Sequence, residues 1–172
     1  NLFINGSPAL TWPGGPSDET MAYLALSTTP DAENVLLVGG GLTTVGAKLL
    51  DGPIERLDYC QIDPKAIEME KRIPSNVWDD HRVRLHVVDG RRFIRNAEPK
   101  SFDLAVLEVG NPQTLAQNRY YTREFFKETS RLLSDDGTLL FAVGEYANYI
   151  SDKQAMFLKS IRKALESHFP RI

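Results

Sequence analysis

Cysteine is almost absent: Cys60 is the only one in 172 residues. A single thiol excludes a disulfide framework and a thiolate metal cluster. Cys60 falls in an apolar strand pattern and is expected as a buried core thiol. Long hydrophobic runs are also missing. No apolar stretch reaches the roughly 18 residues of a membrane span, and no signal peptide is evident. The chain begins with Asn1 and stops at Ile172. It therefore reads as a segment of a longer protein, and the missing targeting signal says little about the parent. Basic residues are not in excess: 20 Lys and Arg against 23 Asp and Glu give a net charge of −3. Nucleic-acid binding through a broad basic face is not expected, although a local basic patch is allowed. Histidine is scarce, and His81, His86 and His168 lack metal-ligand spacing. No serine nucleophile elbow, repeat or low-complexity tract is present.

What remains has the balance of a globular domain, 42% apolar and 25% charged. Its length suits one domain, residues 1–172, with a sizeable core. "NLFING" is a short apolar segment closed by Asn5-Gly6, a hairpin turn signal. A Pro/Gly loop follows, and Ser17 or Asp18 is placed to cap a helix through "ETMAYLALS". From there strands and helices alternate. "NVLLVGG", "RLDYCQI", "VRLHVVDG", "FDLAVLEV" and "TLLFAVG" read as strands. Between them lie the helical patterns "LTTVGAKLLDG", "PKAIEMEKRI", "RRFIRN" and "YTREFFKETSRLL". Asp63-Pro64 opens the second of these as N-cap and first helical residue. "DDG" is expected to turn into the fifth strand. "SDKQAMFLKSIRKALESHF" is a last long helix capped by Ser151. Near-continuous apolar strands alternating with helices predict an α/β, doubly wound, mostly parallel sheet with helices on both faces.

In such sheets ligands bind outside the carboxyl ends of the strands. The residues found there are Gly39-Gly40-Gly41, Gln61, Asp89-Gly90 and Glu108. The glycines allow a tight turn and close approach of a ligand to the backbone. They form neither a GxGxxG fingerprint nor a P-loop, and a ligand-free turn is the competing reading. Gln61 stands where nucleoside-binding sheets carry a ribose carboxylate. It can accept a hydrogen bond, but without charge. Asp89 can accept from an exocyclic amine, or Asp89-Gly90 can be a plain turn. Glu108 is the candidate chemical carboxylate. Partial burial would raise its pKa and fit it as a base. Asp63 is read as a helix cap, and His86 and His168 as structural.

Taken in order, these pieces resemble the spermidine/spermine synthase family, the aminopropyltransferases. The resemblance is carried by "LFING" with "SDE", "VLLVGGG", "CQIDPKAIE", "RVRLHVVDGRRFI", "FDLAVLEVGNP" and "YYTREFFKETSRLLSDDGTLL". Six pieces in register cover most of the chain. The same Rossmann-like fold serves class I methyltransferases, which use S-adenosylmethionine. The resemblance implies S-adenosylmethionine, its decarboxylated form or methylthioadenosine as the ligand, and no metal. It implies that Gly39 to Gly41 back the sulfur-bearing arm, that Gln61 faces the ribose, and that Asp89 and Gly90 face the adenine. It also implies that Glu108 helps deprotonate an attacking amine.

The chain departs from the family pattern where the amine chemistry lies. The acid after the glycines is Leu42, and the next two glycines are Thr43 and Thr44. The ribose glutamate is Gln61, the catalytic aspartate Glu108, and a second aspartate Asn111. The family's Tyr-His-Glu falls on Ala22, Tyr23 and Leu24, and a glutamine on Ala9. The expectation is an S-adenosyl-ligand domain with a degenerate amine site. Two alternatives stay open: a methyltransferase of another acceptor, and a non-catalytic nucleoside-binding or assembly domain. A small-molecule substrate and a cytoplasmic location are expected. A homodimer and a membrane-attached parent are left open.

Overall fold

The structure, a computed structural model, describes residues 2–4, 7–10, 16–143 and 150–172, with side chains from Asp18 onward. β1 (Leu2–Ile4) and β2 (Ser7–Leu10) pair antiparallel as a separate two-stranded sheet. The expected Asn5-Gly6 turn between them lies outside the described residues. The main sheet has five strands: β3 (Asn34–Gly39), β4 (Arg56–Cys60), β5 (Val83–His86), β6 (Phe102–Glu108) and β7 (Leu133–Phe141). All neighbours are parallel, in the order β5-β4-β3-β6-β7. The chain leaves β3 in one direction for β4 and β5, then crosses back to β6 and β7. The order reverses between β3 and β6, and a crevice opens at such a switch point beyond the strand ends. Gly39 and Glu108 are register partners there.

Helices α1 (Pro16–Thr28), α2 (Ala47–Leu49), α3 (Pro64–Glu70), α4 (Gly90–Asn96), α5 (Leu115–Asn118), α6 (Arg123–Leu132) and α7 (Asp152–Glu166) complete the chain. Both faces of the sheet are covered, which is why the strands are apolar without alternation. On one face Leu37, Tyr59, Leu57, Leu104 and Val106 pack with Met21, Ala22 and Ala25 of α1 and Leu49 of α2. On the other, Leu36, Val38, Cys60, Ala105 and Leu107 pack with Ile94, Phe125, Phe126, Leu132, Ile161 and Leu165.

Local chemistry explains most helix starts. Asp63 Oδ1 accepts from Lys65 N at 2.9 Å ahead of Pro64. Ser151 and Gln154 form a reciprocal capping box on α7. Three expectations shift. α1 begins at Pro16, so Asp18 lies inside its first turn rather than capping it, where its charge still favours the helix dipole. Asp135-Asp136-Gly137 bulge within β7 rather than turning into it, since Phe102 pairs with Leu133 and Leu104 with Thr138. The segment after the glycines opens as a π-helical turn over Leu42–Gly46, with Gly46 N donating to Gly41 O at 3.1 Å, before the short α2.

Candidate functional site

Two glycines and one glutamate meet at the switch point. Gly39 and Gly40 have φ of +71° and +62°, the left-handed region that glycine occupies without strain. Gly40 N donates to the Glu108 carbonyl at 3.1 Å. A Cβ on Gly39 would lie 2.6 Å from that same carbonyl oxygen, and one on Gly40 would lie 2.6 Å from Glu108 Cβ. The two loops are therefore packed backbone to backbone. Gly41 is extended, with φ −117°, a conformation open to any residue.

This packing half-buries the Glu108 side chain. Burial pushes its carboxyl up to about 7, and the nearby charge of Asp18 adds to the rise. Asp18, from the first turn of α1, is thus a second carboxylate at the site. Tyr121 stands beside them. Its hydroxyl donates to Gly110 O at 2.6 Å, and burial together with the charge of Glu108 raises it to about 12.

The other expected residues sit at the same sheet edge but are already engaged. Gln61 Oε1 accepts from Asp63 N at 3.1 Å, and its Nε2 donates to the Tyr59 hydroxyl at 3.4 Å. That hydroxyl lies 3.1 Å from Gly40 O and 3.3 Å from Glu70 Oε2. Glu70 Oε1 accepts from Thr43 N at 2.6 Å and from Thr43 Oγ1 at 2.9 Å. A buried carboxylate from α3 thus holds the turn that follows the glycines. Burial raises its pKa, and the hydrogen bonds from Thr43 and Tyr59 pull it back. Leu42 is fully buried in the core, so its side chain contributes nothing to a polar wall.

Asp89 caps α4, Oδ1 accepting from Arg92 N at 3.0 Å, while Oδ2 is ion-paired with Arg119 Nη2. Gly90 answers to packing: a Cβ there would run into Val38 Cγ1. His86 Nε2 lies 2.6 Å from Asp58 Oδ1, and His81 is exposed next to Asp80. Among the described residues no cluster of three or more His, Cys, Asp or Glu is placed to hold a metal ion. Nor is any described helix long and apolar enough to cross a membrane.

Sequence reasoning passed over Asp18 as a site residue, and over Tyr59, Glu70 and Arg119. Glu70 carried a signal: it shares the buried helix face of Ala66 and Ile67, where a carboxylate needs a partner. Arg119 carried none, because its partner lies 30 residues away.

Comparison with known proteins agrees with this architecture. The family model of the spermine/spermidine synthase domain matches residues 16–170. The polyamine aminopropyltransferase of Clostridioides difficile is 31% identical over 156 residues, 88% of this chain and 54% of that protein. The chain thus spans about half the length of the curated relatives it matches. Spermidine synthase from Thermotoga maritima superposes with a TM-score of 0.71 at 21% identity, over 90% of this chain and 51% of that one. Human methyltransferase-like protein 13 in complex with SAH gives 0.67 at 21% identity, over 91% and 74%. Sheet order, glycine turn and family match converge, and the chain belongs to the spermine/spermidine synthase family, in a Rossmann-like methyltransferase fold.

Proposed function

We propose that this domain binds an S-adenosyl-type ligand at the carboxyl edge of the sheet, and that Glu108 serves as the base of an aminopropyl transfer. The observation that carries the reading is the Glu108 carboxyl, held against Gly40 with its pKa pushed up to about 7. A base of that strength takes a proton from an ammonium near neutrality. The freed nitrogen lone pair attacks the aminopropyl carbon. The carbon–sulfur bond breaks, its electron pair stays on sulfur, and neutral methylthioadenosine leaves. Gly39 to Gly41 back the sulfur-bearing arm, Gln61 faces the ribose and Asp89 the base.

The amine side is thinly charged. A desolvated polycation needs paired carboxylates. Glu108 and Asp18 offer one such pair, while Leu42 is turned into the core and Asn111 is uncharged, so those two positions add no negative charge. Glutamate also places its carboxylate about one bond length beyond that of an aspartate, and a misplacement of ~1 Å can cost on the order of 100-fold in rate. Transfer to putrescine is therefore expected to be far slower than on the order of 1 per second. The test has two parts. Calorimetric titration with S-adenosylmethionine, its decarboxylated form and methylthioadenosine should show binding of at least one, and binding of none overturns the reading. Incubation with decarboxylated S-adenosylmethionine and putrescine should release methylthioadenosine slowly, and Glu108→Gln should abolish the release. Undiminished release in that variant removes Glu108 from the role of base.

A further inference from the structure

Asp89 and Arg119 form an ion pair at the proposed nucleoside site. An acid left alone there would offer two oxygens to a ligand. Here one oxygen caps α4 through Arg92 N, and the other is charge-compensated by Arg119 Nη2. The guanidinium is itself fixed. Nε donates to Ala116 O at 3.0 Å, Nη2 also reaches the Tyr120 hydroxyl at 3.3 Å, and the Tyr120 ring lies under Cζ at 5.0 Å. Among the described residues Nη1 donates to no one. The Arg119 side chain keeps 39% of its exposure and that of Asp89 keeps 19%. A plain surface ion pair adds little to stability. The placement matters more. The carboxylate, which follows β5, presents acceptors, and the guanidinium arm that pairs with no described residue, at the end of α5 after β6, presents donors beside it.

We propose that Arg119 is a specificity-determining residue that reads the ligand's base together with Asp89. The pair fits a planar heterocycle carrying an amino donor next to a ring-nitrogen acceptor. The Watson–Crick edge of adenine has that pattern: N6–H donates to Asp89 and N1 accepts from Arg119 Nη1. The planar, always-charged fork suits this task because it holds its direction. Compensating Asp89 also removes one negative charge from the cleft, which further disfavours a polycationic ligand near the base. The inference rests on the reading that the cleft binds an adenosyl ligand.

The experiment compares methylthioadenosine with its 1-deaza analogue, which keeps the amine and lacks the N1 acceptor. Wild-type chain should bind the analogue about tenfold more weakly, the scale of one hydrogen bond to a charged group. Arg119→Met, which keeps an unbranched apolar stem and loses the donors, should bind both ligands equally, at the weaker affinity. A purely structural Arg119 would weaken both ligands alike in the variant. Equal affinities in wild type, or a ratio unchanged in Arg119→Met, overturns the inference while leaving the adenosyl site intact. Failure of wild type to bind either ligand overturns the site reading and this inference with it.

Discussion

At Glu108 the fold opposes ionisation, and that opposition has a measurable sign. Its carboxyl titrates at about 7 in the folded chain against an ordinary 4.5. Below pH 4.5 the group is protonated in both states and carries no penalty. Between pH 4.5 and about 7 the unfolded chain ionises first, so stability falls as pH rises. Above about 7 the loss is complete, at most about 3 kcal/mol for that interval. Glu108→Gln should therefore be more stable than wild type at pH 8 and no more stable at pH 4, as read by urea unfolding. A gap that stays constant across that range would show that burial does not govern this carboxyl.

At the scale of an element, the turn after the glycines depends on a residue from another helix. Glu70 satisfies both the backbone and the hydroxyl of Thr43 while 3% exposed. Glu70→Ala leaves those two donors buried without a partner and should destabilise by about 3 kcal/mol, whereas Glu70→Gln, still an acceptor, should cost about 1 kcal/mol. Equal losses in the two variants would assign the effect to charge instead. This element also marks where sequence reading stops. Asp63-Pro64 and Ser151 were legible as caps because donor and acceptor lie two or three residues apart. The π-helical turn was not, because it is held by a contact 27 residues away. The bulge at Asp135–Gly137 was equally hidden: turn chemistry was visible, but its place inside a strand is decided by pairing with β6.

Across the whole molecule, the sheet and the residues at its carboxyl edge were legible from alternation alone, since Gly39–Gly41, Gln61, Asp89 and Glu108 each end or follow a strand. Asp18 and Arg119 were not, because α1 and the loop after β6 are brought to that edge by packing rather than by strand register. The far layer also supplies a built-in probe. Cys60 is 1% exposed in the cluster that holds Phe126, and burial pushes its thiol up to about 12. Phe126 is fully buried, stacked on Phe141 at 6.0 Å. Phe126→Ala should cost about 3–5 kcal/mol. If Cys60 reacts only through global opening, its labelling by a thiol reagent under native conditions should quicken by the matching factor. Labelling at an unchanged rate would show that Cys60 is reached by a local opening instead.

The contact between Gly40 and Glu108 also orders what mutation can do to this chain over time. The atom that closes position 40 to a side chain is Glu108 Cβ, at 2.6 Å from where a new Cβ would stand. Every residue except glycine carries that atom. Position 108 can pass among Asp, Glu, Gln or Ala without relieving position 40, so chemistry at 108 drifts freely while 40 stays fixed. A lineage in which the proposed transfer is lost would shed the carboxylate first and keep the glycine long afterwards. The glycine turn is then the slower clock of the two, and its survival in a relative dates the fold rather than the reaction.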